Sequence, residues 1–403
     1  MIDTVSLKSR ACAAIDEWAG RLWAASASIH AHPEIGYCEY HAADQLCGLL
    51  EQAGLACRRG IADTPTAFRA EVPGQAARPA IAILAEYDAL PEIGHGCGHN
   101  LIGTAAVGAG LGLMAIRGEL PGSALILGCP AEESTVDDAG GKIRLLKAGA
   151  FEAVDAAIMV HPGTEDLISR RGSLAACGYE FEFIGKPAHA AAMPHEGINA
   201  LDGVIQTFNG INALRQHLKP DVRIHGIITY GGAAANIVPA RAVCRFRVRA
   251  EDQGYLAGVA EKVKLCAQAG ALATGSTLTI REVAPMYEET LPNAAISKAF
   301  LANLVSVGRP MRTVPKRKGK GSTDFGNVSR VIPAVSASMR IADDTVAGHS
   351  REMADAALSE SGRRMMLDAA CAMAMTAIDL ICDTELLTAA HSEFSRRTVG
   401  GAD

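Results

Sequence analysis

Four short, mainly apolar runs stand out along the chain: AIAIL at 80–84, SALILG at 123–128, AAIMV at 156–160 and VIPAVSASM at 331–339. Runs of this length, free of charged positions and alternating with glycine-rich loops, predict strands buried on both faces under helices. A helical pattern over 351–379 follows the last of them. Between about 176 and 283 the texture changes. There the spacing predicts a strand at 179–184, a helix at 199–217, strands at 223–230 and 242–250, a helix at 253–269 and a strand at 277–283. In the strand at 242–250, Cys244, Phe246 and Val248 alternate with Arg245, Arg247 and Arg249, as on a sheet covered on one face only. The order βαββαβ is the ferredoxin-like arrangement. The expectation is an α/β fold, a mixed sheet flanked by helices and interrupted by this insertion: a first part of the main domain at 1–175, an inserted domain at 176–284 and a second part of the main domain at 285–403.

Composition narrows the class. A length of 403 residues exceeds one ordinary core, and 49% hydrophobic with 20% charged residues is a globular balance. The net charge of −6 speaks against a nucleic-acid or anionic-membrane partner. The basic run Lys316, Arg317, Lys318 and Lys320 lies among glycines and reads as a solvated loop. Eleven cysteines without a disulfide-like spacing, in a chain that opens MIDTVSLKSR, lead us to expect a reducing, cytoplasmic location. The longest apolar candidate for a membrane span, 101–116, is glycine-rich and too short.

Chemistry-bearing residues follow each predicted strand. After AIAIL comes AEYDALPEIGHGCGHN, with Asp88, His95, Cys97 and His99. After SALILG comes CPAEES, with Glu132 and Glu133. His161 follows AAIMV, and His349 lies beyond VIPAVSASM. The carboxyl ends of strands in open α/β sheets are where ligand crevices form. Imidazole, thiolate and carboxylate together suit zinc, and imidazole with carboxylate also suits manganese, cobalt or nickel. Of two adjacent glutamates, one can bind metal while the other stays free as a base. Singly, Cys97 reads as a small buried hydrophobe, His161 as a core histidine and the glutamate pair as surface charge. Their shared place at four strand ends is what points to a site. The Gly-Gly-Lys at 140–142 lacks the spacing of a phosphate loop and reads as a turn before a helix.

At these residues the sequence resembles the family of aminoacylases, p-aminobenzoyl-glutamate hydrolases and indole-acetyl-amino-acid hydrolases. The likeness runs through HAHPEIGYCEY at 30–40, AEYDALPEIGHGCGHN at 85–100, PAEES at 130–134 and VHPG at 160–163. It continues in GKPAHAAAMPHEGINAL at 185–201, RIHGIITYGGAAANIVPA at 223–240 and GSTDFGNVS at 321–329. The wording is nearest the p-aminobenzoyl-glutamate hydrolase branch. The resemblance implies a zinc-exopeptidase-like catalytic domain with two divalent metal ions. Cys97, His99, Glu133, His161 and His349 would be their ligands, with Cys97 as the bridge. Glu132 would be the general base and Asp88 the residue that orients a ligand.

The resemblance further implies that the inserted domain is a lid and a homodimerisation surface. His189 would act in the partner subunit's site, and Asn236 would meet the substrate carboxylate or the oxyanion. His195 and His225 fall in the same motifs, with a packing role as likely as a substrate role, and Asp324 is a motif residue without an assigned part. The implied function is hydrolysis of amide bonds in small carboxylate-bearing molecules such as N-acyl or N-aroyl amino acids or dipeptides. The rival readings are another C–N bond, such as that of an aromatic amine, and a catalytically inactive binding protein.

Overall fold

The computed structural model describes residues 2–316 and 320–399. Of the basic run, Arg317 and Lys318 lie outside the described residues; the Lys316 ammonium pairs with Asp344 at 2.9 Å and that of Lys320 with Glu251 at 2.8 Å. The described residues form ten strands: β1 (Cys57–Arg59), β2 (Phe68–Val72), β3 (Ala80–Ala85), β4 (Ser123–Gly128), β5 (Ala156–Gly163), β6 (Ala175–Ile184), β7 (Arg223–Tyr230), β8 (Arg241–Ala250), β9 (Thr277–Tyr287) and β10 (Ala334–Arg340). The chain divides into two compact units: Met1–Gly172 with Thr290–Gly319 and Asn327–Asp403, and Ser173–Glu289 with Lys320–Gly326.

In the first unit a six-stranded mixed sheet runs β1-β2-β4-β3-β5-β10. The four apolar runs form β4, β3, β5 and β10, and all of their mutual pairings are parallel. β1 and β2 add an antiparallel edge that the sequence pattern did not reveal, since CRR and FRAEV are too short and too charged to stand out. Every residue of β3 and β4 is buried. The helix His99–Ala115 covers the sheet and packs against the helices Thr4–Ala31 and Glu360–Cys382. Its glycines permit that approach: a Cβ on Gly112 would lie 2.8 Å from the carbonyl oxygen of Ala11. The helical pattern expected at 351–379 is two helices, Arg351–Ala357 and Glu360–Cys382. The break comes at Ser359, whose hydroxyl accepts the Gly362 N–H and caps the second helix. Among the described residues, Glu360–Cys382 is the one helix long and apolar enough to cross a membrane, and 78% of its most apolar window is buried within the fold.

The second unit is an antiparallel sheet, β7-β8-β6-β9, with the helices Ala200–Leu214 and Gln253–Thr274. Phe181, Phe183, Phe246, Val259 and Val263 form its core. On the other sheet face, Glu180 sits between Arg245 at 2.7 Å and Arg281 at 2.8 Å. The alternation along β8 therefore separates a greasy face from a charged one, as its sequence requires.

Candidate metal centre

Because β4, β3, β5 and β10 lie side by side and parallel, their carboxyl ends open on one edge of the sheet. Glu86 and Asp88 come just after β3, and Glu132 and Glu133 shortly after β4. His161 is near the carboxyl end of β5, opposite Ser338 of β10. His99 is the first residue of the helix His99–Ala115, which Gly98 precedes as its N-cap, and His349 adopts a left-handed backbone (φ 58°) in the connection after β10.

Within the first unit, three groupings around Cys97, His99 and Glu133 put candidate donor atoms within 4.8 Å of one another: Cys97 with His99 and His161; Cys97 with Glu133 and His349; and His99 with Glu132 and Glu133. Cys97, His99 and Glu133 each belong to two of them, so the groupings form one connected cluster. His99 is oriented from behind. Its Nδ1 is 2.9 Å from Asp88 Oδ1, while Asp88 Oδ2 accepts the Glu133 N–H at 2.9 Å. A carboxylate on one ring nitrogen leaves the other, Nε2, as the ligand atom.

The residues present fit a pair of cations. His99 Nε2 and Glu133 Oε1 are buried without a hydrogen-bond partner among the described residues, and buried polar atoms in that state call for an explanation. Glu133 Oε1 is 3.5 Å from His349 Nε2 and 3.9 Å from His99 Nε2. These gaps are too long for hydrogen bonds, but atoms each about 2.0–2.2 Å from a shared ion stand roughly this far apart. The electrostatics agree. Burial alone would lower the His99 pKa, yet Asp88, Cys97 and Glu86 hold it well above the usual imidazole range, so the pocket is built for positive charge. Burial would likewise raise Asp88, but His99, the Glu133 N–H and Lys142 together keep it below the carboxylate norm. His161 is pushed down, by burial first and then by His99, and stays neutral as a metal ligand must. Burial, with Glu133 adding to it, pushes the Cys97 thiol up; a thiol needs a bound metal to become a thiolate in such a place.

The turn that carries the two glutamates is held by residues far away in sequence. Ala131 has φ 53°, and its N–H donates at 2.8 Å to the fully buried Glu39, whose other oxygen accepts from Thr66 Oγ1 at 2.9 Å. Burial, and after it the charge of Asp88, pushes the Glu39 carboxyl up to about 7. Gly140 returns the chain by donating to the Ala131 carbonyl at 2.8 Å. Next to it, a Cβ on Gly141 would lie 1.9 Å from the Pro130 carbonyl oxygen, so only glycine fits there. The turn delivers Lys142 into the interior, where its ammonium is 2.6 Å from Glu86 Oε1 and both side chains are fully buried. Glu39, Glu86 and Lys142 had no role on sequence grounds, and the one signal for Glu86 was its spacing two residues before Asp88 at a strand end. His95, which shares a segment with Cys97 and His99, is not in the cluster; it is buried, stacked on His30, and held neutral with a pKa of about 3 by burial first and by His99 next.

In the second unit, the backbones around His189 and Asn236 are stitched together. Ala190 donates to the Asn236 carbonyl at 3.1 Å, Val238 donates to the Ala188 carbonyl at 3.0 Å, and His189 bridges Ile237. Both side chains are exposed, and His189 Nδ1 accepts from the Ala192 N–H at 3.1 Å. His195 is exposed in the short turn Pro194–Glu196 of the same loop. His225 is on β7, opposite Arg247, and its pKa is lowered by partial burial and then by Arg249, Arg247 and Arg215. Asp324 is fully buried.

Residues 169–274 match the model of a Peptidase dimerisation domain. The chain is 39% identical over 402 residues to the Xaa-Arg dipeptidase of Mus musculus, covering 96% of this chain and 92% of that one. It is 34% identical over 301 residues to one of the subunits of the p-aminobenzoyl-glutamate hydrolase of Escherichia coli, covering 69% of this chain and 61% of that one. The fold is shared with a dinuclear metal binding peptidase from the M20 family of Bacillus subtilis, with a TM-score of 0.63 at 18% identity, covering 91% of this chain and 99% of that one.

Proposed function

The chain belongs to the M20 family of metallopeptidases and amidohydrolases and is a metal-dependent hydrolase of amide bonds; from that premise we propose that its substrates are dipeptides or N-acyl amino acids with a free carboxylate. The observation that carries this reading is the connected donor cluster, buried at His99 and Glu133, with its orphaned imidazole nitrogen and carboxylate oxygen and a second glutamate beside it. Among dipeptides, those with a carboxyl-terminal arginine are the first class to test. The dipeptidase relative covers nearly the whole chain, whereas the p-aminobenzoyl-glutamate hydrolase relative covers about two thirds of it.

In this reading Cys97, His99, Glu133, His161 and His349 hold two divalent ions, zinc or manganese before cobalt or nickel. When bound, such ions polarise a carbonyl and acidify water. Asp88 keeps His99 in the tautomer that presents Nε2 inward. Glu132, 8% exposed and next to Glu133, takes the proton of the attacking water as the new C–O bond forms. It returns that proton to the nitrogen as the C–N bond breaks, so that a free amine leaves. His189, from the partner subunit of a homodimer, and Asn236 would meet the developing oxyanion or the substrate carboxylate. The eleven free thiols are in keeping with a reducing, cytoplasmic compartment.

A panel of Xaa-Arg and Xaa-Lys dipeptides, p-aminobenzoyl-glutamate, N-acetyl amino acids and aromatic amines, followed by release of the free amine, tests the substrate class. Turnover of the basic dipeptides well above the rest is expected. Turnover confined to aromatic amines would overturn the proposal.

A further inference from the structure

Glu86 directly follows β3 in the segment AEYDALP. Tyr87 lies in the core, where its hydroxyl donates to the Thr66 carbonyl at 2.7 Å, while Glu86 and Asp88 both approach His99 of the strand-end cluster. Glu86 is fully buried, and a carboxylate is kept in such a place only by compensating charge. One oxygen, Oε1, has the ammonium of Lys142 at 2.6 Å. The other, Oε2, is 3.6 Å from His99 Nε2, and neither of these two atoms has a hydrogen-bond partner among the described residues. A buried carboxylate oxygen and a buried imidazole nitrogen thus face each other across a gap too wide for a hydrogen bond. Their separation is the same as that between His349 Nε2 and Glu133 Oε1 to within 0.1 Å.

We propose that Glu86 is a further metal-facing carboxylate of this centre, oriented by Lys142; the proposal rests on the metal-centre reading above. Lys142 has two tasks. Its ammonium anchors Oε1, which turns Oε2 toward the position next to His99 Nε2. It also offsets the charge of Glu86, which would otherwise be buried unpaired. The Gly140–Gly141 turn has its purpose here: a side chain at Gly141 would strike Pro130 and move Lys142 off its target. A pair that merely tied the helix Gly141–Lys147 to β3 would leave no reason for Oε2 to remain unbonded beside an unbonded imidazole nitrogen.

The test is calorimetric titration of the metal-free full-length protein with Zn²⁺ and with Mn²⁺, alongside melting of the metal-free forms. The proteins are wild type, Glu86→Gln, Lys142→Met and the double variant. The double variant replaces the ion pair with neutral groups and so guards against a single variant that fails to fold. Glu86→Gln and the double variant are each expected to bind one of the two ions about 10- to 100-fold more weakly than wild type. A double variant that binds both ions as wild type does would show the pair to be purely structural and overturn the proposal. A wild type that binds neither ion would instead overturn the metal-centre reading itself.

Discussion

Glu39 shows how a single buried carboxyl ties stability to pH. Its pKa rises from 4.5 to about 7 because burial, and then Asp88, disfavour the charge. The folded protein therefore holds that proton more tightly than the unfolded chain does. The stabilisation is complete below the unfolded value and fades as pH rises through the folded one. Glu39→Gln removes this titration, so its stability relative to wild type should rise by about 3 kcal/mol from the acid to the alkaline side of that window. Urea midpoints on either side check this, and parallel pH profiles for the two proteins would contradict it. Asp88→Asn tests the backing of His99: metal affinity, measured by competition with a chelator, should fall about 10- to 100-fold, while unchanged affinity would mean that Asp88 orients nothing. The strand-end residues were legible in the sequence because their motifs follow recognisable apolar runs. Glu39, Glu86 and Lys142 were not. A lone acid or lysine in a sequence reads as surface charge, and only the tertiary fold, which closes intervals of 92 residues between Glu39 and Ala131 and 56 between Glu86 and Lys142, reveals that they are buried and paired.

At the scale of elements, continuous apolar runs gave away β3, β4, β5 and β10, and alternation gave away β8. The edge strands β1 and β2 escaped because three to five mixed residues carry no period. The break at Leu358–Ser359 escaped because helical patterns flank it on both sides, and it is marked by one serine whose hydroxyl caps the second helix. The turn from Pro130 to Gly141 joins element to chemistry. Gly141→Ala should push its new Cβ into the Pro130 carbonyl, destabilising the fold by about 1–3 kcal/mol. It should also lower kcat, because Glu132 follows Pro130 by two residues. Denaturant midpoints and steady-state kinetics measure the two effects, and wild-type values for both would show that the turn adapts at no cost.

At the scale of the whole molecule, a site shared between subunits makes a prediction of its own. If His189 serves the partner's metal centre, Glu132→Ala and His189→Ala are each inactive alone. Mixed and allowed to exchange subunits, they should regain activity, because one of the two sites in each mixed dimer has both residues intact. A mixture as inactive as its components would confine His189 to its own chain, or remove it from the reaction. The central claim is that this centre hydrolyses amides with bound metal and Glu132 as the base. It is tested most directly by measuring metal content and turnover of one dipeptide substrate together, in wild type and in Glu132→Gln. About two ions per chain in both proteins, with turnover in the variant reduced on the order of 100- to 10,000-fold, is the predicted result. A variant that turns over like wild type, or a wild type that keeps full activity after its metal is stripped, would contradict it.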